Sequence, residues 1–121
     1  MQNNKKNIIV EKSLEFALHI IEFSEVLESK GKNIIANQIL KSGTSIGANV
    51  REAQNAESKT DFIHKLKIAA KEADETEYWL FLCQKSKNYP NCDTLLFDIK
   101  EIIKILSKII SSSKTSKNII I

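Results

Sequence analysis

Seven positions between Phe62 and Cys83 limit what this chain can fold into more than any other feature of it. Phe62, Leu66, Ala69, Ala73, Thr76, Leu80 and Cys83 step by fours and threes without a break, a spacing that lines side chains up along an α-helix and scatters them along a strand. A helix with such a seam buries it against other helices, as in bundles and coiled coils. Ser58, followed three residues later by Asp61, reads as the capping residue. The helix is expected to run to about Ser86, because Pro90 removes a backbone donor and biases Tyr89 away from helical geometry.

Three more helices fit around it. From about Ile8 to Ser29, Val10, Leu14, Ala17 and Ile21, joined by Leu18, Ile20 and Leu27, form an apolar face with glutamates covering the rest. Gly31 ends this helix as an αL cap. After Asn33, the positions Ile35, Ile39, Ser42, Ile46, Asn49 or Val50, and Ala53 repeat the helical step. A fourth helix is expected from about Asp93 to Ile110, with Leu96, Ile99, Ile103, Leu106 and Ile110 on one face and Leu95, Ile102 and Ile109 beside it. With only three glycines and one proline in 121 residues, the punctuation that sheets need is missing. The chain is long enough for one core and too short for two. These observations predict an all-α fold: one antiparallel up-down-up-down four-helix bundle over residues 1–121, with a flexible N-terminus (about 1–7) and a polar C-terminal tail (about 111–121). Ile119, Ile120 and Ile121 have no evident role in it.

The stretch from Lys41 to Glu52 stands apart because small and polar residues interrupt the text. Gly43-Thr44-Ser45-Ile46-Gly47 matches the G-x-S-x-G pattern of a nucleophile elbow, but that motif needs a strand before the serine, and helical periodicity runs through this one. The lysine that precedes Gly43 is also on the wrong side for a phosphate-binding loop. A helix-packing role is the stronger reading. If the second and third helices are antiparallel about Ser58, facing residues have numbers summing to about 117. Ser42 then meets Thr76, Ser45 meets Ala73 and Asn49 meets Ala69. Gly43 and Gly47 would each cost about 1 kcal/mol in a helix relative to Ala, and the expected compensation is a close approach of the second helix to the third.

Catalytic and metal chemistry find little support. His19 and His64 make no acid-His-Ser arrangement with Ser45. Glu72 is followed at the Glu-x-x-His spacing of di-metal bundles by Glu75, not His. Glu77 is placed near the inward arc of the third helix, where a carboxylate must be paired or wet. Cys83 and Cys92 lack the spacing of a metal or redox pair and read as free thiols of a reducing cytoplasm. No run is apolar enough to span a bilayer, and no signal peptide is evident. Neither cofactor, metal nor small-molecule substrate is expected.

Surface chemistry points to association instead. Ile68, Trp79 and Leu82 form a second apolar stripe on the third helix, and Ile105 widens the apolar arc of the fourth, which together predict an oligomer interface. Lysines gather at Lys59, Lys65, Lys67 and Lys71, and again at Lys100, Lys104, Lys108, Lys114 and Lys117. A net charge of +3, with Arg51 the only arginine, permits weak phosphate contact and gives little material for reading bases.

With these residues in view, the chain resembles a bacterial four-helix-bundle family, the 23S rRNA intervening-sequence proteins, which also includes the accessory proteins of diversity-generating retroelements. The resemblance rests on K-S-G-T-S-I-G-A-N-V-R-E, with Ser42, Ser45, Asn49 and Glu52, and on D-F-I-H-K-L-K-I-A-A-K-E-A-D-E-T-E-Y-W-L from Asp61 to Leu80. The first and last helices match in pattern only. The resemblance implies a homo-oligomer, typically a pentameric barrel of four-helix protomers, with no established enzyme activity. It also implies association with inserted elements in rRNA genes, or with a reverse transcriptase and its nucleic acid, through basic surface. Two functions remain open: an oligomeric scaffold that binds RNA, DNA or a nucleic-acid enzyme, and a small regulator that holds a protein partner on its apolar stripe.

Overall fold

A computed structural model describes residues 7–120, with side chains described as far as Thr115. The expectations for residues 1–6, Lys117 and the side chains of Ile119, Ile120 and Ile121 lie outside the described residues. Four helices follow one another: α1 (Ile8–Ser29), α2 (Asn33–Gln54), α3 (Lys59–Lys85) and α4 (Asp93–Ile120).

Local chemistry sets their ends. Ser58 Oγ accepts from the Asp61 amide at 3.0 Å and opens α3. Asn91 Oδ1 accepts from the Asp93 amide at 3.0 Å at the entrance to α4. Gly31 adopts φ +78°, and its amide bonds to Glu28 O while that of Lys32 bonds to Leu27 O, both at 2.9 Å. This pair of bonds is a Schellman closure, and a side chain at Gly31 would strain it.

Each helix packs on its neighbours in the chain, α1 also packs on α4, and among the described residues the backbones of the diagonal pairs stay apart. Cross-bonds fix the antiparallel register. Asn7 reaches Gln54 at 3.0 Å, Glu52 pairs with Lys65 at 3.1 Å, Gln84 bonds Asp93 at 3.0 Å, and Lys12 pairs with Glu101 at 3.3 Å. The result is an up-down-up-down bundle. Its core is built from Ile20, Leu27, Ile39, Ile46, Leu66, Leu80, Ile99, Ile102 and Leu106, all buried, each contributing about 1.5–3 kcal/mol through burial. The α3 seam is buried from Leu66 to Cys83, with Phe62 half-buried at its start.

Two expectations are overturned. On α1, Leu14, Leu18 and Ile21 of the expected face do not enter the core, being exposed by 61%, 53% and 40%, whereas Val10 packs at its edge and Ile20 and Leu27 are buried as expected. The buried line is Ile9, Ser13, Phe16, Ile20, Phe23, Ser24 and Leu27. α1 carries two apolar stripes, and the one with two phenylalanines buries more area. The second correction concerns the end of the fourth helix. α4 continues past Ile110 to Ile120, and Thr115 Oγ1 donates to the Ser111 carbonyl at 3.1 Å, the back-bonding by which hydroxyl side chains are accommodated within a helix.

Candidate functional site

The small-residue segment of α2 serves two neighbours. Towards α3, Thr76 Oγ1 lies 2.8 Å from Ser42 Oγ and 2.8 Å from the Glu72 carbonyl. One hydroxyl proton cannot serve both. Every group is satisfied if Ser42 donates to Thr76 and Thr76 donates to Glu72, so the pair forms a short relay in the core. Ala69 and Ala73, both buried, leave room for this close contact.

Towards α1, the glycines do the work that was expected of them against α3. A Cβ on Gly43 would stand 2.9 Å from both Cγ atoms of Ile20, and one on Gly47 would stand 3.3 Å from the Ser13 carbonyl oxygen. The 100° step of the helix separates Gly43 and Gly47 from Ser42 and Ile46. The closest approach demanded by the glycines is therefore of α2 to α1.

The remaining motif residues are structural or solvated. Ser45 Oγ donates to the Lys41 carbonyl at 2.7 Å, and Asn49 Nδ2 donates to the Ser45 carbonyl at 2.9 Å. Ser45 thus spends its proton on its own helix. Glu52 pairs with Lys65 at 3.1 Å, and this bond, followed by the carboxylate charge, raises the Lys65 pKa. Glu77 is not core-facing: it is partly exposed on the α3–α4 edge and pairs with Lys100 at 2.7 Å. No group of three His, Cys, Asp or Glu among the described residues could hold a metal. Burial pushes the Cys83 thiol up to about 11, and Cys92 also rises, first through burial and then through the charge of Asp93.

Two opposite faces remain. On the α1–α2 face, where Leu14, Leu18 and Ile21 are exposed, a groove of about 260 Å³ is lined by Val10, Leu14, Ala17, Gly47, Ala48 and Arg51. The residues expected from sequence at an oligomer interface lie on other helices. Ile68, Trp79 and Leu82 are half-buried on the α2 side of α3, where Trp79 Nε1 donates to Glu75 at 3.0 Å, and Ile105 is half-buried on α4. Ile105 therefore belongs to a different helix from the other three.

The α3–α4 face is basic. Lys67, Lys71, Lys100, Lys104, Lys108 and Lys114 are exposed on these two helices, whereas Lys59 and Lys65 are half-buried. Lys67 and Lys114 stand close enough that a hydrogen bond from Lys67, and then its charge, lowers the Lys114 pKa. Sequence reading missed the aromatic part of this face. Tyr78, Phe81 and Phe97 are exposed by 56%, 47% and 62%. The signal was present as an outer 4-3 row on α3, namely Lys67, Lys71, Asp74, Tyr78, Phe81 and Lys85, which the stronger core seam overshadowed. No helix among the described residues is long and apolar enough to cross a membrane.

A family model described as 23S rRNA-intervening sequence protein matches residues 5–108. A solved structure from Bacteroides thetaiotaomicron VPI-5482, a protein with unknown function from the S23 ribosomal protein family, is 47% identical. The similarity covers 84% of this chain and 97% of that one, with a TM-score of 0.80. No curated protein matches.

Proposed function

The chain belongs to the 23S rRNA-intervening sequence protein family, and from that membership and its two unlike faces we propose a non-enzymatic scaffold that self-associates through α1–α2 and holds nucleic acid on α3–α4. The observation that carries this reading is the apolar strip of Leu14, Leu18 and Ile21 beside the Gly47 groove. A lone bundle hides one stripe per helix, and a strip left in water favours a subunit contact. A ring of more than two copies, such as the pentamer the resemblance implies, needs two different surfaces that meet. The strip supplies one, and the Ile68–Trp79–Leu82 edge supplies the other.

Self-association would repeat the α3–α4 lysines around the assembly, so that weak phosphate contacts add by multivalency. The charge is lysine-based and suits phosphate contact more than base reading.

Light scattering tests the assembly. The protein should have a mass several times 13.7 kDa, and Leu18→Glu should dissociate it while leaving the helical circular dichroism intact. A wild-type monomer would remove the scaffold reading and favour a regulator that uses the groove to hold a partner. RNA binding that weakens steeply with salt tests the second half, since each phosphate contact releases counterions.

A further inference from the structure

Resting on the nucleic-acid reading of the α3–α4 face, we infer that this face binds single-stranded RNA, with Tyr78, Phe81 and Phe97 as stacking platforms at one end of a lysine track. The bonds Glu77–Lys100 and Gln84–Asp93 fix how α3 lies against α4. That register sets Phe81 level with Phe97, and both are exposed. Tyr78 lies one turn along α3 and packs its ring 5.4 Å from that of Trp79 at 59°, which steadies it.

Charge selects the occupant. Lys85 Nζ sits 5.3 Å from the Phe81 ring centroid, Lys100 and Lys104 follow Phe97 at one and two turns, and Lys67, Lys71 and Lys114 close the far end. The acidic groups among and beside these rows are Asp74, Glu77, Asp93 and Glu101; Glu77 is paired with Lys100 and Glu101 with Lys12, Asp93 accepts from Gln84 and Asn91, and the lysines outnumber them. Lys67 and Lys114 repel one another at their present separation, and a phosphate between them would relieve that repulsion. The outer row from Lys67 to Lys85 spans roughly 27 Å at 1.5 Å per residue, a length that several nucleotides of an extended strand can follow. An aromatic surface with more cations than anions beside it suits a polymer with a negative backbone and flat faces, because every unpaired base offers a π-face. Duplex RNA hides those faces and offers phosphates, sugars and base edges instead.

The test measures fluorescence anisotropy of one labelled RNA strand, free and annealed to its complement, with the full chain. The single strand should bind at least roughly fivefold tighter than the duplex. Phe97→Ala and Phe81→Ala should each weaken the single strand by roughly 5- to 100-fold and leave duplex affinity and the salt slope unchanged. Lys104→Gln should instead reduce the salt slope by about 0.7. Equal, salt-dependent binding of both forms, indifferent to Phe97→Ala, would overturn the stacking inference and leave the lysine reading standing. No binding of either form would overturn both. If Phe97→Ala dissociates the assembly in light scattering, the patch is a subunit contact and the inference fails.

Discussion

Thr76 and Ser42 meet hydroxyl to hydroxyl, 2.8 Å apart, in the core between α3 and α2. Because Thr76 also lies 2.8 Å from the Glu72 carbonyl, the two residues are not equivalent. Thr76→Val strands the Ser42 proton and should cost about 1–3 kcal/mol. Ser42→Ala leaves Thr76 with its carbonyl and should cost clearly less. Denaturant unfolding of the two variants checks the order; a larger loss for Ser42→Ala would reverse the assigned direction of the relay.

The glycines of α2 differ in what a methyl group would meet. Gly43→Ala drives a Cβ to within 2.9 Å of both Cγ atoms of Ile20, in a fully buried side chain. The strain of about 1–3 kcal/mol should outweigh the gain of about 1 kcal/mol in helix propensity. Gly47→Ala meets one carbonyl oxygen at 3.3 Å and should be the milder variant. Melting temperatures should rank wild type above Gly43→Ala, with Gly47→Ala between it and wild type or level with wild type.

Ser24 is buried on α1, and its Oγ has no hydrogen-bond partner among the described residues. Ser24→Ala removes an unsatisfied hydroxyl and improves helix propensity. It should stabilise the protein by about 1 kcal/mol, read as an upward shift of the denaturant midpoint at constant slope.

Thiol burial gives stability a pH dependence of known sign. Cys83 titrates near 11 in the folded chain against a usual 9.0, so the unfolded chain loses its proton first. The contribution is fully present below about pH 9 and is lost as pH rises towards 11. Asp93 acts oppositely. Its carboxylate is held low by Gln84 and then Asn91, so its contribution is present above the ordinary carboxylate range and fades as pH falls through the lowered value. Cys83→Ser and Asp93→Asn should each flatten their own limb of a stability-against-pH curve.

Much of the bundle was legible because its seams are one-dimensional patterns. The α3 row from Leu66 to Cys83 could only be a buried helical face, and the Ser58 cap fixed a register that puts Ser42 against Thr76. What was not legible was partner choice. Gly43 and Gly47 announce a close neighbour, but a bundle helix has two, and spacing alone does not say which one uses the glycine face. α1 misled for a related reason: Leu14 and Ile21 make as regular a row as Phe16 and Phe23, and only the volume available in the assembled core decides between them. The α3–α4 face was half-read, since lysines draw notice as charge while exposed aromatics pass for core.

The square arrangement, with every helix beside its chain neighbours, also orders events in time. Three of the four helix pairs are hairpins that can close over short loops, and only α1 against α4 joins segments far apart in the chain. That pair is the sparsest of the four, bridged at its surface by the exposed ion pair of Lys12 with Glu101. Such a molecule can be built hairpin by hairpin, with little loop entropy to overcome before the last seam. The same seam should be the first to part, and amide exchange of α1 and α4 ahead of that of the α2–α3 hairpin is the expected readout.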